Sequence, residues 1–307
     1  MKKAIKIHAN GKLLITGEYL VLAGAKALAM PVCFGQDMTV DQIPQRNIEW
    51  KSSDQNGTWF SARFDQDTLA VISTDKKKIA GDLRRVLVAA RRLNPEFLSC
   101  ANGWKVDVKA NYPLVWGLGS SSTLFYLVAE WAGVPVYELF RMISQGSGYD
   151  VACAGRTGLL YYQVHKGQPD ITPAHAGPAL RNNTWFVFLG TKQNSKKAVA
   201  AFLLDQNYSE IDLVKISRLS KEICEAGSSY ELIRLVDEHE FILSTILKRE
   251  PIARHYRSFP GTVKSLGAWG GDFAMFVSGM EPEGVVNILH GLGFSNVFSY
   301  NELEIQR

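Results

Sequence analysis

Cysteine is scarce: Cys33, Cys100, Cys153 and Cys224 are the only four in 307 residues, and they lie far apart. There is no CxxC pair and no histidine at finger spacing, which excludes a disulfide framework and a structural zinc and predicts reduced thiols in a cytoplasmic protein. A run of 18 apolar residues is also missing, so no membrane span is expected. The opening residues, MKKAIKIHANGK, are basic but lack the apolar core of a secretory leader, and none is expected. Charge of one sign does not dominate either. The net charge is +4 and is spread along the chain, which argues against a nucleic-acid partner and suits a small anionic ligand. The lysines at 76–78 read as solvated surface, and no internal repeat or low-complexity tract occurs.

What is present reads as strands and helices in separate runs. Residues AIKIHA, KLLITG, AKALAMPV (ending at a proline), DMTVDQI, IEWKSS and TWFSARF are short and rich in β-branched or aromatic side chains, as strands are. Residues 79–93 carry apolar positions at helical spacing with arginines opposite, GWKVDVKA returns to a period of two, and residues 124–132 continue as a helix. GLLYYQV (158–164) and WFVFLG are further strands. Helices are expected over 194–205, 209–226 and 229–248, followed by a strand FAMFVSG, a helix EPEGVVNILHGLG and a final edge strand NVFSYNEL. Without a regular βαβ alternation the class is α+β, with mixed β-sheets and helices packed on them. The length favours two domains, and the Gly/Pro-bearing stretch at 165–183 places them at residues 1–175 and 176–307.

The segment WGLGSSSTLFYLVAEWAG (116–133) sets two glycines and three serines before a helix. The first turn of a helix presents unpaired N–H groups and the positive end of its dipole; glycines allow close approach, and serine hydroxyls add donors or bind a metal. By itself the segment serves equally as a phosphate cradle or as an ordinary helix cap. It is neither a Walker A loop nor a GxGxxG fingerprint.

Two further segments accompany it: ANGKLLITGEYLVLAGAKALAMPV near the start and KSLGAWGGDFAMF near the end. Together the three resemble, in order and spacing over nearly the whole chain, the motifs of the GHMP kinases. These are the ATP-dependent small-molecule kinases named for galactokinase, homoserine kinase, mevalonate kinase and phosphomevalonate kinase. GSGYDVACA, KSLGAWGGD and FLGTKQNSKKAV look most like the mevalonate and phosphomevalonate kinase branch.

The resemblance implies a two-domain GHMP kinase fold and a transfer of the γ-phosphoryl of ATP. The acceptor would be a hydroxyl or phosphate of a small anionic metabolite, mevalonate or phosphomevalonate-like, in isoprenoid biosynthesis. Gly117, Leu118, Gly119, Ser120, Ser121 and Ser122 would wrap the ATP phosphates, with the Ser121 hydroxyl on Mg2+. Asp150 would be the general base, paired with Lys12. Isolated, those two read as a helix cap and a surface lysine. Glu18 and Tyr19 would help build the substrate pocket, joined by Ser147, Gly148, Thr191, Ser195, Gly267, Ala268, Gly270 and Gly271. The chain departs from the family pattern at Val115 and Trp269, each standing where glycine is usual, and Trp116 is a bulky neighbour of the loop. Glu138 and Glu130 are the nearest carboxylates to a second magnesium ligand, neither in register. The alternatives are a diphosphomevalonate decarboxylase-like enzyme, which shares the lysine, serine and aspartate, and a weakly active homologue that binds a ligand and regulates. A monomer or homodimer is expected.

Overall fold

The computed structural model describes residues 4–190, 195–269 and 272–305. Two compact units emerge. One comprises the described residues of Met1–Gly11, Phe34–Leu114 and Leu118–Arg156, the other those of Lys12–Cys33, Val115–Gly117 and Thr157–Arg307. A single cut between residues 175 and 176 therefore does not separate them. The physical reason is the length of the first two strands, β1 (Ile5–Thr16) and β2 (Ala27–Ile43), each of which supplies residues to both units.

In the first unit β2 pairs antiparallel with β6 (Gly103–Ala110), reached through β3 (Asn47–Asp54), β4 (Gly57–Asp65), β5 (Val71–Thr74) and α1 (Lys77–Leu93). The strand order is β5-β4-β3-β6-β2, with β3 and β6 parallel and the other neighbours antiparallel. On α1 the buried residues Ala80, Leu83, Val86, Leu87 and Ala90 recur at spacings of three and four, while Arg84, Arg85 and Arg92 stay exposed. This stripe joins Val40, Trp50, Phe64 and Val106 of the strands in one core. That core also receives Leu127 and Val128 of α2 (Ser120–Ala132), Leu139 of α3 (Val136–Arg141) and Ala154 of α4 (Tyr149–Ala154).

In the second unit the first residues of β2 pair with β7 (Leu160–His165), which pairs with β8 (Gln168–Pro173). After α5 (Pro178–Asn182) and β9 (Thr184–Phe188), three helices follow: α6 (Ser195–Asp205), α7 (Glu210–Glu225) and α8 (Ser229–Leu247). A reciprocal Ser209–Asp212 capping box starts α7, and the Ser228 hydroxyl caps α8. The strands β10 (Thr262–Ser265) and β11 (Phe273–Val277), the helix α9 (Pro282–Gly291), β12 (Val297–Ser299) and α10 (Tyr300–Leu303) complete the unit. Its antiparallel sheet runs β10-β11-β9-β12.

Four departures from the sequence reading follow from strand pairing and helix capping. Pro31 lies inside β2, between the stretch paired with β7 (Ala27–Ala29) and the stretch paired with β6 (Gln36–Ile43), in a strand that also pairs with β1. The β7 and β6 ladders do not need its missing N–H. The segment expected to be a linker instead forms β8 and α5. AIKIHA and KLLITG form one twelve-residue strand through Gly11. Finally, NVFSYNEL is strand only to Ser299, where a Ser299–Glu302 capping box turns it into α10.

The second unit's sheet packs around Phe276, which is wholly buried against Phe259 (4.9 Å between ring centroids), Tyr256 (5.3 Å) and Phe294 (5.7 Å). Phe276→Ala is expected to cost about 3–5 kcal/mol, read as a lower urea midpoint; an unchanged midpoint would remove Phe276 from the core's centre.

Candidate functional site

In the first unit, the glycine–serine loop enters α2 through Gly119, which caps the helix in a left-handed conformation (φ 100°). Such a turn suits glycine and directs the first N–H groups of the helix outward. Ser121 is exposed and Ser120 half-buried, whereas Leu118 is buried and can offer a ligand only its backbone. Gly11 explains how β1 passes so near the loop: a Cβ there would stand 2.7 Å from the Phe34 carbonyl oxygen and 3.0 Å from that of Leu118.

Ser122 differs from the serines before it. Its hydroxyl is buried and donates to Oδ2 of Asp150, whose Oδ1 accepts the Val151 N–H at 3.0 Å. Asp150 thus lies in the first turn of α4 rather than at its cap. The cap is Gly148, left-handed at φ 87°, with Ser147 half-buried beside it. Both carboxylate oxygens of Asp150 are therefore oriented, each keeping a lone pair.

In the second unit, Lys12 donates from Nζ to the Gly117 carbonyl at 3.1 Å. Gly117 is left-handed (φ 70°), and a Cβ there would lie 2.7 Å from Cγ of Asp272. A side chain there would strain the left-handed backbone and displace the Asp272 carboxylate. Trp116 turns inward rather than over the loop. It packs on Phe298 (5.4 Å), Phe273 (6.2 Å) and Phe188 (6.4 Å), while Val115 is the exposed neighbour. Lys12 and Asp150 belong to different units.

Glu18 and Tyr19 form a tight turn. The Leu20 N–H returns to the Glu18 carbonyl at 2.7 Å, and Tyr19 has φ 62° and ψ −49°, the γ-turn conformation that side chains adopt at a cost of about 1–3 kcal/mol. The Tyr19 hydroxyl donates to the Ala268 carbonyl at 2.8 Å, and burial pushes its ionisation up to about 12. Gly267 (φ 64°) and the buried Ala268 open the turn that Trp269 continues at φ 51°, a glycine-like conformation in a non-glycine residue. Thr191, Gly270 and Gly271 lie outside the described residues; Ser195 opens α6, and its side chain lies outside them too.

Sequence reasoning missed what holds Glu18. Its carboxylate is wholly buried and accepts from Nζ of Lys264, which also donates to the Ser265 carbonyl at 2.8 Å. His239 accepts the Gly17 N–H on Nε2 at 3.1 Å, and Glu240 accepts the Ser265 N–H at 3.2 Å. Burial pushes the Glu18 carboxyl up to about 7 against the pull of Lys264, and burial raises Glu240 as well. Burial first, then the lysine's charge, drives His239 well below its ordinary range and keeps it neutral. One ammonium faces two buried carboxylates, so a proton on one of them completes the neutralisation. Glutamate after glycine at the end of a strand was visible in the sequence; its partner 246 residues away was not.

Among the described residues no group of three His, Cys, Asp or Glu side chains is placed to hold a metal ion, and no helix is long and apolar enough to cross a membrane. No protein-family model matches the sequence, and no curated protein matches it. Solved structures do match. The Streptococcus pneumoniae phosphomevalonate kinase in complex with phosphomevalonate and AMPPNP superposes with a TM-score of 0.71 at 17% identity, over 96% of this chain and 99% of that one. Methanococcus jannaschii mevalonate kinase gives 0.68 at 14%, over 100% and 99%. Lactococcus lactis galactokinase complexed with galactose gives 0.66 at 12%, over 99% and 94%. The chain has the GHMP kinase fold. In GHMP terms, the first motif carries Lys12, Glu18 and Tyr19, the second Gly117 to Ser122, and the third Gly267 to Asp272. Within the second unit the first and third motifs are bound by the Tyr19–Ala268 hydrogen bond and the buried Glu18–Lys264 pair.

The raised Glu18 carboxyl fixes the sign of a pH effect. Its folded value, about 7, exceeds its ordinary 4.5, so the stability it confers is complete below about pH 4.5 and is lost as pH rises through about 7. Glu18 by itself is expected to lower the unfolding free energy between about pH 4.5 and 7 by up to about 1.4 kcal/mol per pH unit, opposed below about pH 6.5 by His239, which is buried neutral. Glu18→Gln, which mimics the protonated carboxyl, should flatten that slope in urea titrations; equal slopes for the two proteins would refute the assignment.

Proposed function

We propose that this protein is an ATP-dependent small-molecule kinase that transfers the γ-phosphoryl group to a small anionic acceptor of the mevalonate or phosphomevalonate type. The observation that carries the reading is the Ser122–Asp150 hydrogen bond, which couples the glycine–serine loop to the carboxylate assigned as base. Phosphoryl transfer asks little covalent chemistry of a protein; it asks for positioning and for charge. Gly119 and the exposed start of α2 suit the phosphates, and similarity to a kinase solved with AMPPNP supports ATP as the donor.

Asp150, oriented through both oxygens, would take the proton of the attacking hydroxyl or align it. By the family resemblance Lys12, which bonds the Gly117 carbonyl within its own unit, would bring its positive charge to the transferring group. Ser121 is the described side chain that fits Mg2+, since its hydroxyl is exposed at the helix start. A single protein oxygen is compatible with an ion that otherwise binds phosphates and retains its water. When bound, magnesium would neutralise phosphate charge.

The test is an ATP-consumption screen over mevalonate, phosphomevalonate, sugar and amino-alcohol acceptors, with product analysis. Wild-type protein should form a phosphorylated acceptor without releasing carbon dioxide. Asp150→Asn should lower turnover about 10²–10⁴-fold while keeping nucleotide binding. Equal turnover by the variant would discard Asp150, and the absence of phosphorylated product from every acceptor would discard the kinase reading.

A further inference from the structure

We infer that Arg249 binds an anionic group, a carboxylate or phosphate, of the acceptor; this inference rests on the kinase reading above. The place of Arg249 is set by backbone geometry. Helix α8 ends in a left-handed residue, Lys248 (φ 51°), with the Lys248 N–H on the Thr245 carbonyl at 3.3 Å and the Arg249 N–H on the Ser244 carbonyl at 3.0 Å. This closure fixes the direction in which the arginine side chain leaves the helix.

The charges on either side of Arg249 are paired. Lys248 meets Asp205 at 3.4 Å, and Glu250 meets Arg254 at 2.7 Å. Arg249 is exposed, and among the described residues no carboxylate lies within ion-pair distance of it. Its one side-chain hydrogen bond there runs from Nη1 to the Trp269 carbonyl at 2.8 Å. An arginine at a helix C-terminus ordinarily serves the helix's own carbonyls. This one reaches across to the third motif instead. A guanidinium has five N–H donors, and a carbonyl that uses one of them leaves a preoriented fork suited to a carboxylate or phosphate.

The surroundings indicate which ligand the fork faces. Trp269, which accepts from Arg249, is held at φ 51° and is almost wholly buried. Ala268, one residue earlier, accepts from Tyr19, whose phenol feels the charges of both Arg249 and Asp272. Asp272 in turn abuts Gly117, whose carbonyl holds Lys12. Arg249 is thus bonded to the third motif at Trp269, and Lys12 reaches the end of that motif through Gly117, which abuts Asp272, all within one unit. The lysine flank is where the transferring group would lie. An acceptor anchored by its own negative charge at Arg249 would present its nucleophilic oxygen toward that flank.

The experiment compares wild type, Arg249→Gln and Arg249→Lys in initial rates with mevalonate, phosphomevalonate and galactose. It also records melting temperatures with the same compounds, with acetate and with inorganic phosphate. Arg249→Gln is expected to raise the KM of the anionic acceptors at least about tenfold, the usual loss for a charge-assisted hydrogen bond. The KM for ATP and the rate with galactose should stay as in wild type, and Arg249→Lys should recover part of the loss. In melting, acetate or phosphate should stabilise wild type more than Arg249→Gln, and the more effective of the two identifies the group recognised. Phosphorylation of an anionic acceptor with the same KM in Arg249→Gln would overturn the assignment and leave the kinase reading standing. A wild-type protein that turns over no acceptor would sink the kinase reading; the Arg249 site then stands only if anions stabilise wild type more than Arg249→Gln. Absent or equal anion stabilisation in the two proteins overturns it.

Discussion

A buried ammonium does most to order the second unit. Lys264 sits at the end of β10 with no exposed surface, and Glu18 sits equally deep at the end of β1. Burying either charge alone is strongly unfavourable, so each is retained only in the presence of the other. Each precedes a chain reversal: Glu18 the tight turn at Tyr19, and Lys264, three residues on, the turn from Gly267 to Trp269. The pair therefore fixes two chain reversals against one another. His239 and Glu240, adjacent on α8, close the arrangement by accepting N–H groups from Gly17 and Ser265.

On that base the protein maintains two of its several backbone conformations that side-chain-bearing residues avoid. Tyr19 and Trp269 both have positive φ, and each is tied down: the first by its own hydroxyl on Ala268, the second by Arg249 on its carbonyl. Strain of this kind persists where the surroundings over-determine it, and here both instances converge on the third motif. The aromatic packing of Trp116 on Phe188, Phe273 and Phe298 adds a rigid floor in the same unit, next to the glycine that Lys12 holds.

Much of this was legible in the sequence because it is local. Helical periodicity marked α1 and α8 nearly to the residue, and the glycine–serine run of GLGSS marked the start of α2. The three motifs stood out because their residue types have few structural uses. What escaped was non-local. Pro31 stopped a predicted strand because its tolerance depends on which ladders its neighbours join. The Gly/Pro-rich stretch after His165 read as a linker because nothing local shows that it pairs with β7. Ser122 read as a third phosphate donor, since its burial against Asp150 depends on how α2 meets α4. Lys264 stood at the head of KSLGAWGGD, but nothing local showed that it is buried against Glu18, and Arg249 carried no local signal, since an arginine after a helix is an ordinary surface residue until its partner is known.

The interleaving of the units also bears on how the protein is made. Residues of β1 and β2 are synthesised well before residues 157–307, yet Lys12–Cys33 belong to the same unit as those later residues. Glu18 must wait through 246 residues of synthesis before Lys264 exists to neutralise it. Contacts of such high sequence separation slow folding and prolong the exposure of unpaired strand edges. The strand that makes the second unit coherent at equilibrium is thus, kinetically, its most vulnerable part, and the first unit, whose core closes by Ala154, can form well before it.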